Sequence, residues 1–451
     1  MRDLGPARRA LVVGLGRSGR AAALLLARLG YETIAIDAAP VEAPELAAAG
    51  VQVLAPAAGP VRGVDVVVKS PGVPGDVPAV AAARAAGAAV WSEVELAART
   101  MPNPMIAVTG TNGKTTTTEL TAHLMNAAGV AAVACGNQGT PVTGLAGAVD
   151  PAVWLVVECS SFQLEDTDTF HPRAAALLNV APDHLDRHGG FDEYVAAKLR
   201  AFARQEPEDL AILPRGLAHP GRAPARHVDE GAPGKDAIAW SEGGLHLAGD
   251  GLVADWTATA LRGRHNRQNA MAAAALARHA GAAPAALAAG LASFPGVPHR
   301  LEPVAEIDGV RFVNDSKATN PDAAEAALDA YPEHVHLIAG GRGKGTSFAA
   351  LARAARGPVE RAYLIGETAG DLAAALDAEG VAHEAPGTLE AAVAAAASRA
   401  RPGDVVLLAP ACASYDQFRD FEERGAAFRA AVEALLGERA GRTGSGVAPA
   451  K

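Results

Sequence analysis

The sequence predicts an α/β protein of three consecutive blocks, each built on a mostly parallel, doubly wound sheet. Three observations carry this expectation. Short apolar runs of strand length alternate with helix-length segments along the chain. Two glycine-bearing turns, "GLGRSG" and "TGTNGKTT", each stand between such a run and a helix. The length of 451 residues, at roughly 150 per domain, makes about three domains the prior.

Composition narrows the function. Hydrophobic residues at 49% and charged residues at 20% are ordinary for a globular chain. A formal net charge of −10 argues against a general nucleic-acid or membrane-surface binder, so the positive charge that matters must be local. Cys135, Cys159 and Cys412 include no CxxC pair, which indicates neither a disulfide framework nor a zinc ribbon and fits a reducing cytoplasm. Arginines precede a short apolar run near the start, but Gly14, Gly16 and Arg17 interrupt it, so no signal peptide is expected. Residues 127–149 carry no charge, yet their glycines, Pro141, Asn137 and Gln138 argue against a membrane span.

In the first block "ALVVGLG" reads as a strand, "SGRAAALLLARLG" as a helix ending at Gly30 and "ETIAID" as the next strand, a βαβ unit. "VDVVVKSPGVP" supplies a later strand ending at Lys69 and Ser70. "SEVELAART" is a helix before the linker "MPNP", which sets a boundary near residue 102. Gly14, Gly16 and Gly19, with Asp37 closing the second strand, match a dinucleotide site. The same pattern also serves a tight turn with close helix packing, or a related fold holding another diphosphate at the helix start.

The second block opens with "MIAVTG" and continues through "AVWLVVECSS" and "AAALLNVAPDH", apolar strands that each break into a polar loop. Residues 206–262 read as an irregular excursion with small strands. "GRHNRQNAMAAAALARHAG" returns as a helix ended by glycine. A Walker A loop would have its first glycine where Val108 stands; here it is Gly110, two residues tighter. Residues 110–116 (Gly110, Thr111, Asn112, Gly113, Lys114, Thr115, Thr116) still supply backbone N–H groups, a cation and a hydroxyl for Mg²⁺, so a triphosphate is expected there.

Glu158 closes a buried strand, where Mg²⁺ ligation is the natural use and a helix cap the plainer alternative. Asp183 and His184 occupy the corresponding loop of the next strand; His184 and His188 form an HxxxH, but no third ligand accompanies them as zinc would require. On a helix beginning near Asp192, 100° per residue places Lys198 among Phe191, Tyr194, Val195 and Phe202. A lysine on that apolar face snorkels, pairs with an anion or loses its charge.

The third block follows "FPGVPHR" and alternates strands at 310–314, 335–339, 361–366 and 404–409 with helices. Ligands of such sheets sit beyond the carboxyl ends of the strands, which lead into "NDSKATNP", "GGRGKG", "GET" and "PACASYDQF". Residues 438–451 read as a flexible tail.

Taken together, "TGTNGKTT", "ECSSFQLE", "NVAPDHLDRH", "AAKLRAF", "GRHNRQN" and "PHR" resemble the Mur ligases, ATP-dependent enzymes that add amino acids to the peptidoglycan precursor. "NDSKATNP" with "PACASYDQF" resembles the branch that adds D-glutamate. The resemblance spans the chain except the tail and residues 215–260. It implies a Rossmann-like UDP-sugar-binding domain (1–102), a P-loop ATPase-like central domain (103–297) and a Rossmann-like amino-acid-binding domain (298–437). A folate polyglutamylating ligase would share the ATPase chemistry without the first glycine domain or the two branch motifs. A nicotinamide oxidoreductase accounts for residues 1–40 and nothing afterwards.

The resemblance also implies roles. Gly14, Gly16, Arg17, Ser18, Gly19 and Asp37, with Ser70 nearby, would receive the uridine diphosphate, and Asn137 and His184 the muramoyl part. Residues 110–116, led by Lys114 and Thr115, would hold the ATP phosphates with Arg300, and Asn266, Asn269, His299 and Asp315 the adenosine. Two Mg²⁺ ions would be held by Thr115, Glu158, His184 and Lys198, the last as a carbamate formed with CO₂. Lys317, Thr319, Lys344, Ser414 and Phe421 would hold D-glutamate, and Lys114, His184, Lys198 and Lys317 would carry the catalysis. The implied reaction joins D-glutamate to UDP-N-acetylmuramoyl-L-alanine through an acyl phosphate. It belongs to a cytoplasmic monomer that neither enters the membrane nor binds nucleic acid. Two departures stand out: Ala38 and Ala39 follow Asp37 where relatives are often polar, and Arg342 stands where an acid can occur.

Overall fold

The computed structural model describes residues 9–55, 61–259, 261, 263–343 and 345–444, and it contains three sheets. Strands β1 (Arg9–Val13), β2 (Glu32–Ile36), β3 (Gln52–Val53), β4 (Val66–Lys69) and β5 (Ala89–Ser92) form the first, in the parallel order β3-β2-β1-β4-β5. The order reverses between β1 and β4. In open parallel sheets that point opens a crevice between the loops leaving the two strands, here the glycine turn and the 70–74 loop.

The second sheet contains β6 (Met105–Thr109), β7 (Ala132–Gly136), β8 (Trp154–Glu158), β9 (Ala174–Leu177), β10 (Leu210–Ile212), β11 (Ala225–Glu230), β12 (Ala237–Ser241), β13 (Gly244–Leu247) and β14 (Gly251–Asp255). Its order is β14-β13-β12-β11-β10-β9-β6-β8-β7, parallel except for the β12-β13-β14 meander. Central β6 lies between β8 and β9, so the phosphate-loop candidate emerges between Glu158 and the 178–184 loop. Residues 206–262 therefore differ from the expected excursion. Their strands continue the sheet, because β10 pairs with β9, and Gly243 (φ 74°) and Gly249 (φ 88°) permit the two tight reversals of the meander.

The third sheet comprises β15 (Glu302–Ile307), β16 (Val310–Asn314), β17 (Val335–Gly340), β18 (Val359–Ile365), β19 (His383–Gly387) and β20 (Val405–Leu408), ordered β15-β16-β20-β17-β18-β19. β15 runs antiparallel to β16 and the others pair in parallel. The last helix, Phe421–Gly444, runs into the segment expected as a tail, since Glu438, Arg439 and Ala440 favour helix and no proline intervenes before Pro449.

The first two sheets lie in one compact unit and the third in another; the chain leaves the first unit near residue 260, rejoins it at Gln268 and leaves again after Phe294. Within the first unit one apolar core runs through both sheets, joining Leu26 and Leu96 to Leu155 and Phe170. Two buried acids reinforce the junction. Ser92 caps the helix Glu93–Thr100, accepting from the Glu95 backbone N–H at 3.1 Å. Glu93 accepts from the backbone N–H and, at 2.7 Å, the hydroxyl of Thr143, and burial pushes its carboxyl up to about 6 against those donors. Glu95 accepts from the backbone N–H groups of Asp168, Thr169 and Phe170 at 2.9, 2.9 and 3.2 Å. Among the described residues no helix is long and apolar enough to cross a membrane.

Candidate active site

The crevice at the switch point of the first sheet is a cavity of 880 Å³. Gly14, Gly16, Arg17 and Ser18 line one side, Asp37 and Ala38 the end of β2, and Ser70, Pro71, Gly72, Val73 and Pro74 the other side. Glycine is required by contact here: a Cβ on Gly14 (φ 89°) would stand 2.6 Å from Val73 Cγ2, and one on Gly19 1.8 Å from the Gly14 carbonyl oxygen. Ser70 Oγ donates to that same oxygen at 2.8 Å, tying the two loops together. The Asp37 carboxylate accepts from the backbone N–H groups of Leu15 and Ala39, so it braces the glycine turn as well as lining the cavity. Asn137, which follows β7, completes the lining.

Asn137 also reaches the phosphate-loop candidate. Its Nδ2 donates to Glu158 Oε1 at 3.0 Å, and the Thr115 hydroxyl donates to Glu158 Oε2 at 2.7 Å. Glu158 is buried at the end of β8. Gly113 takes a left-handed conformation (φ 85°) as N-cap of the helix Lys114–Ala127, and its missing Cβ would stand 2.3 Å from Asn269 Oδ1. The turn thus aims backbone N–H groups and the positive end of a helix dipole outward beside a hydroxyl and a carboxylate. This donor set, hard oxygens with few carboxylates, fits Mg²⁺ held jointly with phosphate.

Three side chains hold the turn in shape. The Thr111 hydroxyl lies 3.1 Å from Tyr194 OH and bonds the Ala181 backbone in both directions. Asn179, which opens "NVAPDHLDRH" but carried no assigned role, forms a reciprocal pair with Asn112: Oδ1 accepts from its N–H at 2.9 Å and Nδ2 donates to its carbonyl at 3.1 Å. Its signal was a polar residue directly after the apolar run of β9. Asn179→Ala is expected to raise the KM for ATP by about 30-fold, the two lost hydrogen bonds contributing about 1 kcal/mol each; an unchanged KM would show that the turn holds its shape without the clamp.

Lys198 lies on the apolar face that its spacing indicated. It is 2% exposed, its Nζ donates to the Gly110 carbonyl at 2.9 Å and stands 4.4 Å from the centre of the Tyr194 ring. Lys114 Nζ donates to the same carbonyl at 2.9 Å and to that of Thr111 at 2.8 Å. Burial, reinforced by the Lys114 charge, pushes the Lys198 amine down to about 6. His184 takes a left-handed backbone (φ 53°) and turns to Asp183 at 3.5 Å, its ring edge meeting Phe162. His188 stacks on Phe162 at 4.9 Å and bonds Ser161 Oγ at 2.9 Å, so the HxxxH flanks an aromatic ring. Glu158 accepts from Thr115 and Asn137.

In the second unit the loops after β16, β17 and β20 meet. The Arg342 backbone exchanges hydrogen bonds with Ala413 (2.9 and 3.0 Å), and the Ser316 hydroxyl donates to the Phe421 carbonyl at 2.8 Å. The buried Arg424 guanidinium donates to Ser316 Oγ, Ser316 O and Cys412 O at 3.0, 2.8 and 3.1 Å, stapling the two branch motifs. Sequence reading passed over it, although Arg424 shares a helical stripe with Phe421, Phe428 and Val432. Lys317 Nζ stands 5.3 Å from the Phe421 ring centre, Ser414 is buried at the head of its loop, and Thr319 N–H donates to the Lys317 carbonyl. Lys344 lies outside the described residues.

Asp315 is buried, accepts from the Leu301 N–H at 3.2 Å, and burial lifts its carboxyl to about 6 against the pull of Arg300. His299 (φ 61°) bonds Asn314 Nδ2 at 3.0 Å, and its ring edge faces Phe421. The structure thus groups Arg300, Asp315, Lys317 and Phe421. Asn266 and Asn269 are both buried on the helix Arg264–His279.

Comparison with known proteins identifies the family. Residues 108–277 match the Mur ligase middle domain and residues 299–412 the Mur ligase glutamate ligase domain. The UDP-N-acetylmuramoylalanine--D-glutamate ligase of Myxococcus xanthus is 46% identical over 448 residues, covering 94% of this chain and 98% of that protein. The ligase of the same name from Anaeromyxobacter dehalogenans is also 46% identical, covering 93% and 96% respectively. The solved UDP-N-acetylmuramate-alanine ligase of Thermotoga maritima, at 19% identity, shares the fold with a TM-score of 0.60 over 95% of this chain and 99% of that one.

Proposed function

The chain belongs to the Mur ligase family, and from that premise we propose how its residues divide the work of a D-glutamate-adding ligase. The reaction is the ATP-dependent joining of the L-alanyl carboxylate of UDP-N-acetylmuramoyl-L-alanine to the amine of D-glutamate. The observation that carries the residue assignment is Asn137. It lines the cavity of the first sheet and bonds the Glu158 carboxylate beside the phosphate turn, which supports a sugar carboxyl and a terminal phosphate meeting there.

A carboxylate is a poor electrophile, because its charge repels an amine and oxide is not a viable leaving group. Phosphoryl transfer from ATP removes both obstacles. The N–H groups at the start of the helix Lys114–Ala127 and the Lys114 ammonium collect the phosphate charge, and a cation fixed in a partly dehydrated turn is worth several kcal/mol to the transition state. The D-glutamate amine then attacks the acyl phosphate, and phosphate leaves from the tetrahedral intermediate. Lys317, Thr319, Ser414 and Phe421, with Lys344, hold the amino acid; His299, Asn266, Asn269 and Asp315 hold the adenosine, with Arg300 on the phosphates. Arg17 and Ser18 sit at the start of the helix Arg17–Arg28, where its dipole favours a diphosphate.

Thr115, Glu158, His184 and a carbamate on Lys198 would hold two Mg²⁺ ions, which would supply positive charge to neutralise the phosphates. Burial keeps the Lys198 amine largely neutral near pH 7, the form that adds to CO₂ with loss of a proton and becomes an anionic oxygen ligand. The enzyme works as a cytoplasmic monomer in peptidoglycan precursor synthesis. Phosphate release with ATP and UDP-N-acetylmuramoyl-L-alanine tests the activity: it is expected with D-glutamate and not with L-glutamate, L-lysine or diaminopimelate. No release with D-glutamate overturns the reading.

A further inference from the structure

The 70–74 wall of the cavity is held from behind by a buried amine to which no role has yet been given. Lys69 ends β4, and its side chain is 1% exposed. Its Nζ donates to the Val73 carbonyl at 3.2 Å and to Glu165 Oε1 at 2.7 Å, and it forms an ion pair with Asp166 Oδ2 at 3.1 Å. Both acids follow "ECSSFQL" in the second block of the same compact unit. A second cation takes the same wall: Arg187 donates to the Gly72 and Val73 carbonyls at 3.4 and 3.3 Å while its guanidinium lies over Phe162. The Val73 oxygen is thus fixed by donors from two separate elements, and neither donor lines the cavity.

A buried lysine with acidic partners is not by itself a stabilising device, since well-packed apolar residues in place of such a group are often as stable or more so. What an apolar replacement could not do is donate to the Val73 carbonyl and set the position of the wall. We propose that Lys69 is a positioning residue: anchored by Glu165 and Asp166, it fixes the 70–74 wall, so that affinity for the nucleotide sugar depends on an amine that touches no substrate. This rests on the reading that the cavity takes the UDP-sugar.

The test compares wild type, Lys69→Met and the double variant Lys69→Met/Asp166→Asn by calorimetric titration of UDP-N-acetylmuramoyl-L-alanine, KM for each substrate and thermal midpoint. Lys69→Met is expected to raise the Kd and KM for the UDP-sugar about tenfold, the loss of one charge-assisted hydrogen bond, with the KM for ATP and D-glutamate unchanged. Its thermal midpoint falls, because Asp166 is left buried with only the half-exposed Arg84, 3.7 Å from its Oδ1, opposite it. The double variant recovers the midpoint but not the UDP-sugar affinity, since the carbonyl keeps Arg187 but still lacks the Lys69 donor. Affinity that recovers together with the midpoint, or an equal rise in all three KM values, overturns the inference. So does a Lys69→Met Kd equal to wild type. A wild-type protein that binds no UDP-sugar overturns the reading of the cavity and this inference together.

Discussion

Lys198→Ala is expected to lower kcat by on the order of 10²–10³-fold while leaving the fold intact, and a short carboxylic acid is expected to restore part of the loss. Lys198 stands beside the phosphate turn, and Lys114 shares its acceptor, the Gly110 carbonyl. As an ammonium it would place a second positive charge next to Lys114 in a dry site, which is why burial and Lys114 together depress its protonation. As a carbamate the same side chain becomes an anion there, and the repulsion turns to attraction. The alanine variant leaves a space lined by Tyr194 and the Gly110 carbonyl into which acetate or formate can bring an equivalent oxygen. The sign of the pH effect follows from the amine at about 6: below it the ammonium predominates and CO₂ addition fails, above it the neutral amine is available. Removing dissolved CO₂ at pH 8 is therefore expected to lower wild-type activity and bicarbonate to restore it. Full activity of the unrescued variant rejects the carbamate.

Gly19→Ala is expected to cost about 3 kcal/mol of stability and to raise the KM for the UDP-sugar roughly 100-fold. The added Cβ would stand 1.8 Å from the Gly14 carbonyl oxygen and 2.7 Å from Ser70 Oγ. The first of these is backbone, so no rotamer change relieves it. Either the helix Arg17–Arg28 slides off β1 or the glycine turn opens, and in both cases the Ser70 hydrogen bond to Gly14 is broken. Gly16 provides the contrast: its Cβ would meet nothing within 4 Å and its φ is −67°, so Gly16→Ala is expected to keep the wild-type melting temperature. Equal melting temperatures for wild type and Gly19→Ala would refute the close-packing argument.

What the sequence made legible was whatever local pattern decides. The glycine turns announced themselves because Gly14 and Gly113 need left-handed backbone, and the placing of Lys198 on an apolar face followed from 100° spacing, its burial being one of the outcomes that face left open. What it concealed was decided by partners far along the chain. Asn179 and Arg424 act by joining loops that are 67 and 108 residues away in sequence, and nothing near either residue indicates the partner. Glu93 and Glu95 stand in "SEVELAART", whose pattern indicates only a helix, and both are buried because loops 50 and about 74 residues later supply N–H groups to them. The sheet continuation through 206–262 was hidden for the same reason: a short strand becomes part of a sheet when an edge is offered to it, and β9 and β10 offer one.

Those two glutamates also bear on how the protein comes apart. The 101–104 linker looks like a natural place to sever the chain, but a fragment ending there would carry Glu93 and Glu95 into water without the loops that donate to them, and the remainder would present the bare N–H groups of residues 168–170. On heating, the first two sheets then have no reason to let go separately: one melting step serves both, and the number of thermal transitions is smaller than the number of sheets.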